Sequence, residues 1–279
     1  MTDLKADIAT MTAERDGYKG AYETLSTEIG YLRQVAAPIL RNDLDLTATK
    51  NKPSIFVVTL PKSGTVHIGH TIRQSLGYDF TNTLVTPTFP KNIVWPTMAV
   101  DFQRGSMVSV SHMQADDENL SVLKRVGIRK IVVHVRDPRA ALLSWAHFRS
   151  TLQESSSALP EQVVEMGLPL AQQIDAHIDG FYASSIAWLS GWLATDISDF
   201  DILWLSHENM SMQQDAYFEA LFAFHGISGT ALKPLAKDAN AHFRTGNNAD
   251  WREALTAAQT ERVNAMLPPV MAQRFGWEY

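Results

Sequence analysis

TLPKSGTVH (Thr59–His67) continues the apolar, β-branched run SIFVVTL (Ser54–Leu60), and the junction of the two decides the fold. Such a run reads as a buried strand, and the residues after Gly64 can open a helix. A Gly, a Lys and small hydroxyl residues between strand and helix are the ingredients of a phosphate-cradling loop. Gly64 permits close backbone approach, Thr65 adds a hydroxyl, and Lys62 supplies a point charge beside the N–H groups of Ser63, Gly64, Thr65 and Val66. The order departs from G-x-x-x-x-G-K-[ST], because Lys62 precedes the stretch's only Gly. A plain strand–turn–helix junction with a surface lysine uses the same residues, so the loop alone leaves both readings open.

Beyond the loop, β and α signals alternate. MVSVSH (Met107–His112), KIVVHVRD (Lys130–Asp137) and DILWLSH (Asp201–His207) read as further strands. Helical patterns cover Glu118–Val126, the stretch PRAALLSWAHF from Pro138, about Glu161–Ala194, and Gln213–His225. Pro138 stands where the first helical residue would, with Asp137 as its cap. The pattern predicts an α/β fold with a central, mostly parallel sheet flanked by crossover helices.

Residues 1–50 read as an N-terminal helical extension and linker, and 51–279 as the main domain. Leu4, Ile8, Met11, Tyr18, Tyr22, Leu25, Ile29, Leu32 and Ala36 fall on steps of three and four, with Arg15 the one polar interruption. This seam fits a coiled coil or helical hairpin, but its two Tyr and Arg favour a helix packed on its own domain. Asn42 to Pro53 reads as the linker.

A net charge of −6 opposes a polyanion as main partner, which leaves nucleic acid out and a local basic pocket in. With no cysteine, disulfides, thiolate nucleophiles and thiolate metal sites are excluded. The N-terminus MTDLKADIAT lacks the apolar core of a secretory signal, and no apolar run approaches a membrane span. The expectation is a cytoplasmic protein without a membrane partner. No His/Asp/Glu cluster has metal-ligand spacing, so no metal is expected.

Two more stretches carry anion-binding groups. In HVRDPRAALLSWAHF, Arg136 closes a strand and Ser144 follows eight residues later, two turns into the next helix. In HFRTGNNADWREALT, Arg244 and Gly246 sit in a Gly/Asn-rich loop able to fold over a ligand. Each is weak alone, since a strand-end Arg, a packing Ser and a turn account for them equally.

Taken in order, the three stretches resemble the sulfotransferases that use 3′-phosphoadenosine-5′-phosphosulfate (PAPS). TLPKSGT is similar to that family's 5′-phosphosulfate loop T-Y-P-K-S-G-T-T-W, and VRDPRAALLSWAHF to its 3′-phosphate segment. FRTGNNADWREALT is similar to R-K-G-x-x-G-D-W-K-x-x-x-T. YASSIAWLSGW (Tyr182–Trp192) and WLSHENM extend the similarity, which runs from about Ser54 to Trp277.

The resemblance implies a P-loop-like fold holding PAPS as donor and releasing 3′-phosphoadenosine 5′-phosphate (PAP). Lys62 matches the lysine that stabilises the leaving phosphate oxygen. Ser63, Gly64, Thr65 and Val66 match the 5′-phosphate cradle. Arg136, Ser144 and Arg244 match the 3′-phosphate clamp, with Thr245 and Gly246 alongside. His112 ends its strand on the expected ligand edge and matches the His of K-T-H-L, which makes it the general base among nine histidines. His134, mid-strand, is expected to be buried.

Several positions depart from the pattern. Val66 replaces a hydroxyl, His67 the adenine-stacking Trp, His207 the Tyr of Y-E-D-M, Val110 a Lys, and Thr245 the Lys of R-K-G. Arg252, Thr256 and Glu261 fall on the marked positions of a short dimerisation segment, which allows a homodimer, although Ala257 replaces its Val. The acceptor is a small molecule bearing a hydroxyl or amine, with Asp79–Arg104 (Phe80, Phe89, Trp95, Phe102) and Ser150–Gln173 expected to line its pocket. Two other functions stay open at this point: an ATP-dependent P-loop kinase, opposed by Pro61 before Lys62, and a non-catalytic nucleotide-binding module assembling through its N-terminal helix.

Overall fold

The computed structural model describes residues 52–80, 84–88, 91–151, 168–195, 197–233 and 250–278, within the second of the chain's two units, Thr49–Tyr279. The heptad seam, most of the linker, and Arg244, Thr245 and Gly246 lie outside the described residues.

In chain order the first half runs β1 (Ile55–Thr59), α1 (Thr65–Leu76), β2 (Asp79–Phe80), β3 (Val85–Thr88), β4 (Lys91–Val94), α2 (Pro96–Phe102), β5 (Met107–Ser111) and α3 (Asp117–Val126). The second half runs β6 (Lys130–Val135), α4 (Pro138–Thr151), α5 (Leu170–His177), α6 (Ala183–Ala194), β7 (Asp201–Ser206), α7 (His207–Met212) and α8 (Gln214–Phe224). Three short helices follow: α9 (Trp251–Ala254), α10 (Ala257–Met266) and α11 (Pro269–Phe275). A π-helical turn, Ile178–Tyr182, joins α5 to α6.

The main sheet has the order β2-β5-β1-β6-β7, and every neighbouring pair in it is parallel. All five β1 residues are buried, as a central strand covered on both faces requires. The chain moves from β1 out to β2 and β5 on one side, then crosses to β6 and β7 on the other. The carboxyl end of β1 is therefore a topological switch point, where such sheets leave a ligand crevice. Register delivers the site: Val58 lies beside Ser111 and Thr59 beside His134, so His112 and Arg136 flank the loop that follows β1.

Local chemistry explains where the helices start and stop. Asp116 caps α3 by accepting from the Asn119 N–H at 2.9 Å, and Gly127 ends it at φ 81°. Asp137 Oδ1 accepts from the Arg139 N–H at 2.9 Å, so the cap expected before Pro138 is present. Thr256 caps α10 in a capping box with Gln259.

Two apolar clusters hold the layers. One packs Ile55 and Val57 of the sheet against Ile68 and Ile72 of α1 and Phe218 and Leu221 of α8. The other joins α4 to α5, α9 and α10 through Leu142, Ile174, Trp251 and Val263. Each fully buried side chain of this size contributes about 1.5–3 kcal/mol.

The expected strands and helices are present with ends shifted by a residue or two. His207 opens α7 rather than ending the strand, because the Ser206 hydroxyl caps that helix by accepting from the Asn209 N–H. The five-stranded sheet is wholly parallel among its described strands. The antiparallel β3–β4 pair and the two-residue β2 went unanticipated, being too short to carry an alternating pattern. Of the helix expected from about Glu161, the described part begins at Leu170. No helix among the described residues is long and apolar enough to cross a membrane.

Candidate active site

The loop after β1 is shaped by its neighbours on β6. Lys62 adopts the left-handed region at φ 65°, costly for a residue with a Cβ. Arg136 holds that conformation by donating from a guanidinium N–H to the Lys62 carbonyl at 2.7 Å. His134 donates from Nε2 to the next carbonyl, that of Ser63, at 2.8 Å, while its Nδ1 accepts from the Tyr217 hydroxyl at 2.8 Å. The Ser63 hydroxyl turns back to the Leu60 carbonyl. Two successive loop carbonyls are thus tied to β6 and to the residue that follows it.

The N-terminus of α1 follows directly, and no side chain caps it. Its first N–H groups have no partner within the helix, and the helix dipole adds partial positive charge there. Gly64 is favoured at this point by its φ of 92°; a Cβ there would also stand 3.0 Å from the terminal methyl of Met210.

A cavity of about 1020 Å³ opens over this loop, and Lys62, His112, Arg136 and Ser144 all line it. Gly64, Thr65, Val66, His67 and His207 line it as well. Among the described lining residues there is no carboxylate. Burial, and next the charge of Arg136, lower the Lys62 pKa to about 8. Two like charges side by side in a carboxylate-free cleft form the profile of an anion site.

His112 is oriented by its backbone surroundings. Nδ1 lies 2.8 Å from the Thr59 carbonyl, which can only accept, so Nδ1 carries the proton and Nε2 keeps its lone pair. Its own carbonyl accepts from the Asn92 side chain at 2.8 Å, and Asn92 N–H donates to Gln114 Oε1 at 3.1 Å. Burial and the Lys62 charge outweigh the raising effect of the Thr59 bond, so the His112 pKa falls below the ordinary histidine value. A neutral imidazole with a free Nε2 can accept a proton near neutral pH.

His134 is fully buried, as expected, and burial pushes its pKa down to about 4. It supports the loop from below. His67 is buried, with Nε2 3.1 Å from Gln214 Oε1 and its ring edge-on to Phe218. Val66 is 68% exposed. His207 packs a ring carbon 3.6 Å from where a Gly64 Cβ would be.

One expectation about the acceptor side needs correction. Phe102 is 2% exposed and packs edge-on to Phe56 in the core, because α2 turns it inward. Trp95 precedes α2 and does not line the cavity; among the described residues of Asp79–Arg104, Asn92 lines it. Phe89, the side chain of Phe80 and most of Ser150–Gln173 lie outside the described residues. Among the described residues, the aromatic wall comes from Trp145 and Phe148 on α4, Phe181 on the π-helical turn and Trp188 on α6. Trp188 donates to the Met113 carbonyl at 2.7 Å, which holds α6 against the strand end that carries His112. Both aromatic stretches were visible as motifs, but only their helical phase shows which rings face the cavity.

The chain matches the sulfotransferase domain family over residues 52–240, and it belongs to that family. Among solved structures it resembles mouse sulfotransferase SULT7A1 complexed with PAP, with 17% identity, 83% of this chain and 88% of that chain covered, and a TM-score of 0.54. The sulfotransferase domain from the curacin biosynthetic pathway is 13% identical, covering 82% of this chain and 99% of that one, with a TM-score of 0.48. A sulfotransferase from Alicyclobacillus acidocaldarius is 17% identical, covering 78% and 96%, with a TM-score of 0.42. No curated protein matches the chain.

Proposed function

We propose that this member of the sulfotransferase domain family transfers a sulfuryl group from PAPS to a hydroxyl or amine of a small molecule held against the aromatic wall. The acceptor proton passes to His112 Nε2 as the acceptor atom bonds to sulfur. The S–O bond to the 5′-phosphate breaks with its electron pair on the phosphate oxygen, leaving PAP. Lys62 and the N-terminus of α1 face that developing charge, a pre-oriented electrostatic arrangement that needs no reorganisation at the moment of reaction. Arg136 and Ser144, with Arg244 and Thr245 from the closing segment, are the groups for the 3′-phosphate. His67 and His207 belong to the nucleotide side.

The observation that carries this reading is the convergence of Lys62, His112, Arg136 and Ser144 on one cavity, with the Nδ1–Thr59 bond leaving Nε2 as the base. The residues present fit a nucleotide bearing two separate anionic groups: an uncapped helix start, two cations, and a glycine in the left-handed region at the turn into the helix. The PAP bound to the mouse structure supports the same donor. A kinase reading lacks comparable support, since Pro61 precedes Lys62 and no second Gly shapes the loop.

The direct test is ligand-induced thermal stabilisation. At a concentration of about 100 times Kd, PAP is expected to stabilise the folded chain by about 2.7 kcal/mol. ATP, lacking a 3′-phosphate, is expected to give a much smaller rise in Tm. Equal or reversed shifts would remove PAPS as donor.

A further inference from the structure

Gln114 lines the same cavity as His112, two residues further along the chain. Met113 between them is fully buried. That alternation is the one an extended chain imposes, so both side chains stand on the cavity face. Asn92 of β4 holds the two of them. Its side chain donates to the His112 carbonyl at 2.8 Å, and its backbone N–H donates to Gln114 Oε1 at 3.1 Å. A backbone N–H can only donate, so the atom it meets is the amide oxygen, and the orientation of the Gln114 amide is fixed. Buried Asn119 braces the arrangement. Its Nδ2 donates to the Asn92 carbonyl at 2.9 Å and the Gln114 carbonyl at 3.3 Å, and its Oδ1 accepts from the Val94 N–H at 2.9 Å. Gln114 Nε2, with two hydrogens to give, has no partner among the described residues.

We propose that Gln114 is a specificity-determining residue on the acceptor side. Its Nε2 donates to a second oxygen of the acceptor, on the carbon next to the one whose hydroxyl gives its proton to His112. The favoured acceptors are planar molecules with oxygens on two neighbouring ring carbons, one a hydroxyl and the other a hydroxyl or ether. The inference rests on the sulfuryl-transfer reading above.

The physical basis is spacing and donor chemistry. Side chains two residues apart on an extended chain stand about 7 Å apart. That spacing suits two oxygens on neighbouring carbons, each one hydrogen bond of about 2.9 Å from its partner. Nε2 is a donor only, so it selects an oxygen with a lone pair and cannot accept from a neighbouring ammonium. Lys62 and Arg136 in the same cavity oppose an ammonium as well. The rings of Trp145, Phe148, Phe181 and Trp188 offer the surface on which a planar acceptor lies.

The test measures sulfation from PAPS of two phenols by the full chain. In 2-methoxyphenol the ether oxygen neighbours the hydroxyl; in 4-methoxyphenol it lies across the ring. The unsubstituted chain is expected to show kcat/KM about tenfold higher for 2-methoxyphenol, the effect of one well-placed hydrogen bond. Gln114→Glu keeps an oxygen for the Asn92 N–H but has no hydrogen to give, and Gln114→Leu has neither. In both variants the ratio between the two phenols is expected to fall to about one. A role confined to holding Asn92 would spare Gln114→Glu, so a preference that survives in that variant overturns the proposal. An unsubstituted chain that shows no preference, or that sulfates neither phenol although PAP raises its Tm, overturns it too. Absence of the PAP-induced rise in Tm would instead overturn the sulfuryl-transfer reading itself.

Discussion

In the proposed transfer, Lys62 and His112 must hold opposite protonation states at the same pH, and their surroundings allow it. As the proposed base, His112 would have to be neutral. Burial and the nearby Lys62 lower its pKa, so the neutral form persists below the usual histidine range. In its proposed role Lys62 would have to be the ammonium, and its pKa of about 8 means that form fades as pH rises through that value. The turnover efficiency kcat/KM, which reports the free enzyme, is therefore expected to form a bell. Its acid limb lies below the ordinary histidine range, and its alkaline limb near pH 8. Lys62→Arg separates the two assignments, because a guanidinium stays charged throughout. That variant is expected to be slower, with no alkaline limb up to about pH 10. If the limb near pH 8 persists with Arg, some other group titrates there.

At the scale of elements, α4 is where the sequence says most and hides most. Arg139, the second Arg of VRDPR, is fully buried. It pairs with Asp137 at 2.8 Å, reaches Asn264 of α10 and the Glu278 carbonyl, and lies 4.1 Å over the Trp251 ring. One side chain thus binds the start of α4 to three C-terminal segments, and Asp137 also caps α4. Arg139→Met leaves Asp137 buried without its counter-charge, and is expected to cost about 3–5 kcal/mol by urea denaturation. A loss under 1 kcal/mol would show the pair to be dispensable. Nothing in the local pattern of VRDPR sets Arg139 apart from Arg136; partners more than a hundred residues away do. The same limit governs the rest of the site. SIFVVTL, KIVVHVRD and the loop after Thr59 were legible because composition, period and a Gly at a strand end are local signals. Ser144, Arg136 and His112 were legible through motif order. Which of Trp145, Phe148, Phe181 and Trp188 turn into the cavity depends on helix packing and on the π-helical turn. Phe102 had the right composition for an acceptor wall and faces the core.

For the whole molecule, the question is how much of the chain the chemistry needs. Every described residue lining the main cavity lies between Pro61 and His207. Among the described residues, two apolar clusters are built from residues beyond Pro53, which gives the unit Thr49–Tyr279 a core of its own. Removing residues 1–48 is therefore expected to leave the PAP-induced rise in Tm within about 1 °C of the full chain's, since deletions that spare a core and a site change little. A lost or halved shift would mean that the first 48 residues contribute to donor binding. The same truncation, weighed by light scattering, decides the role of the heptad seam. Its two Tyr and Arg15 make a poor pairing seam, because a and d positions that associate tightly favour Leu and Ile. The expected result is one oligomeric state for both forms, with the mass falling only by that of the residues removed. A full chain twice as heavy per particle as the truncated one would assign the seam to pairing, and would place the contact between copies in the extension rather than at Arg252, Thr256 and Glu261. Thr256 already has a local use as the cap of α10, and Arg252 stacks on Trp251 at 4.6 Å. Two of the three positions in that segment are thus accounted for within one chain, so replacing Glu261 with Gln is expected to leave the particle mass unchanged.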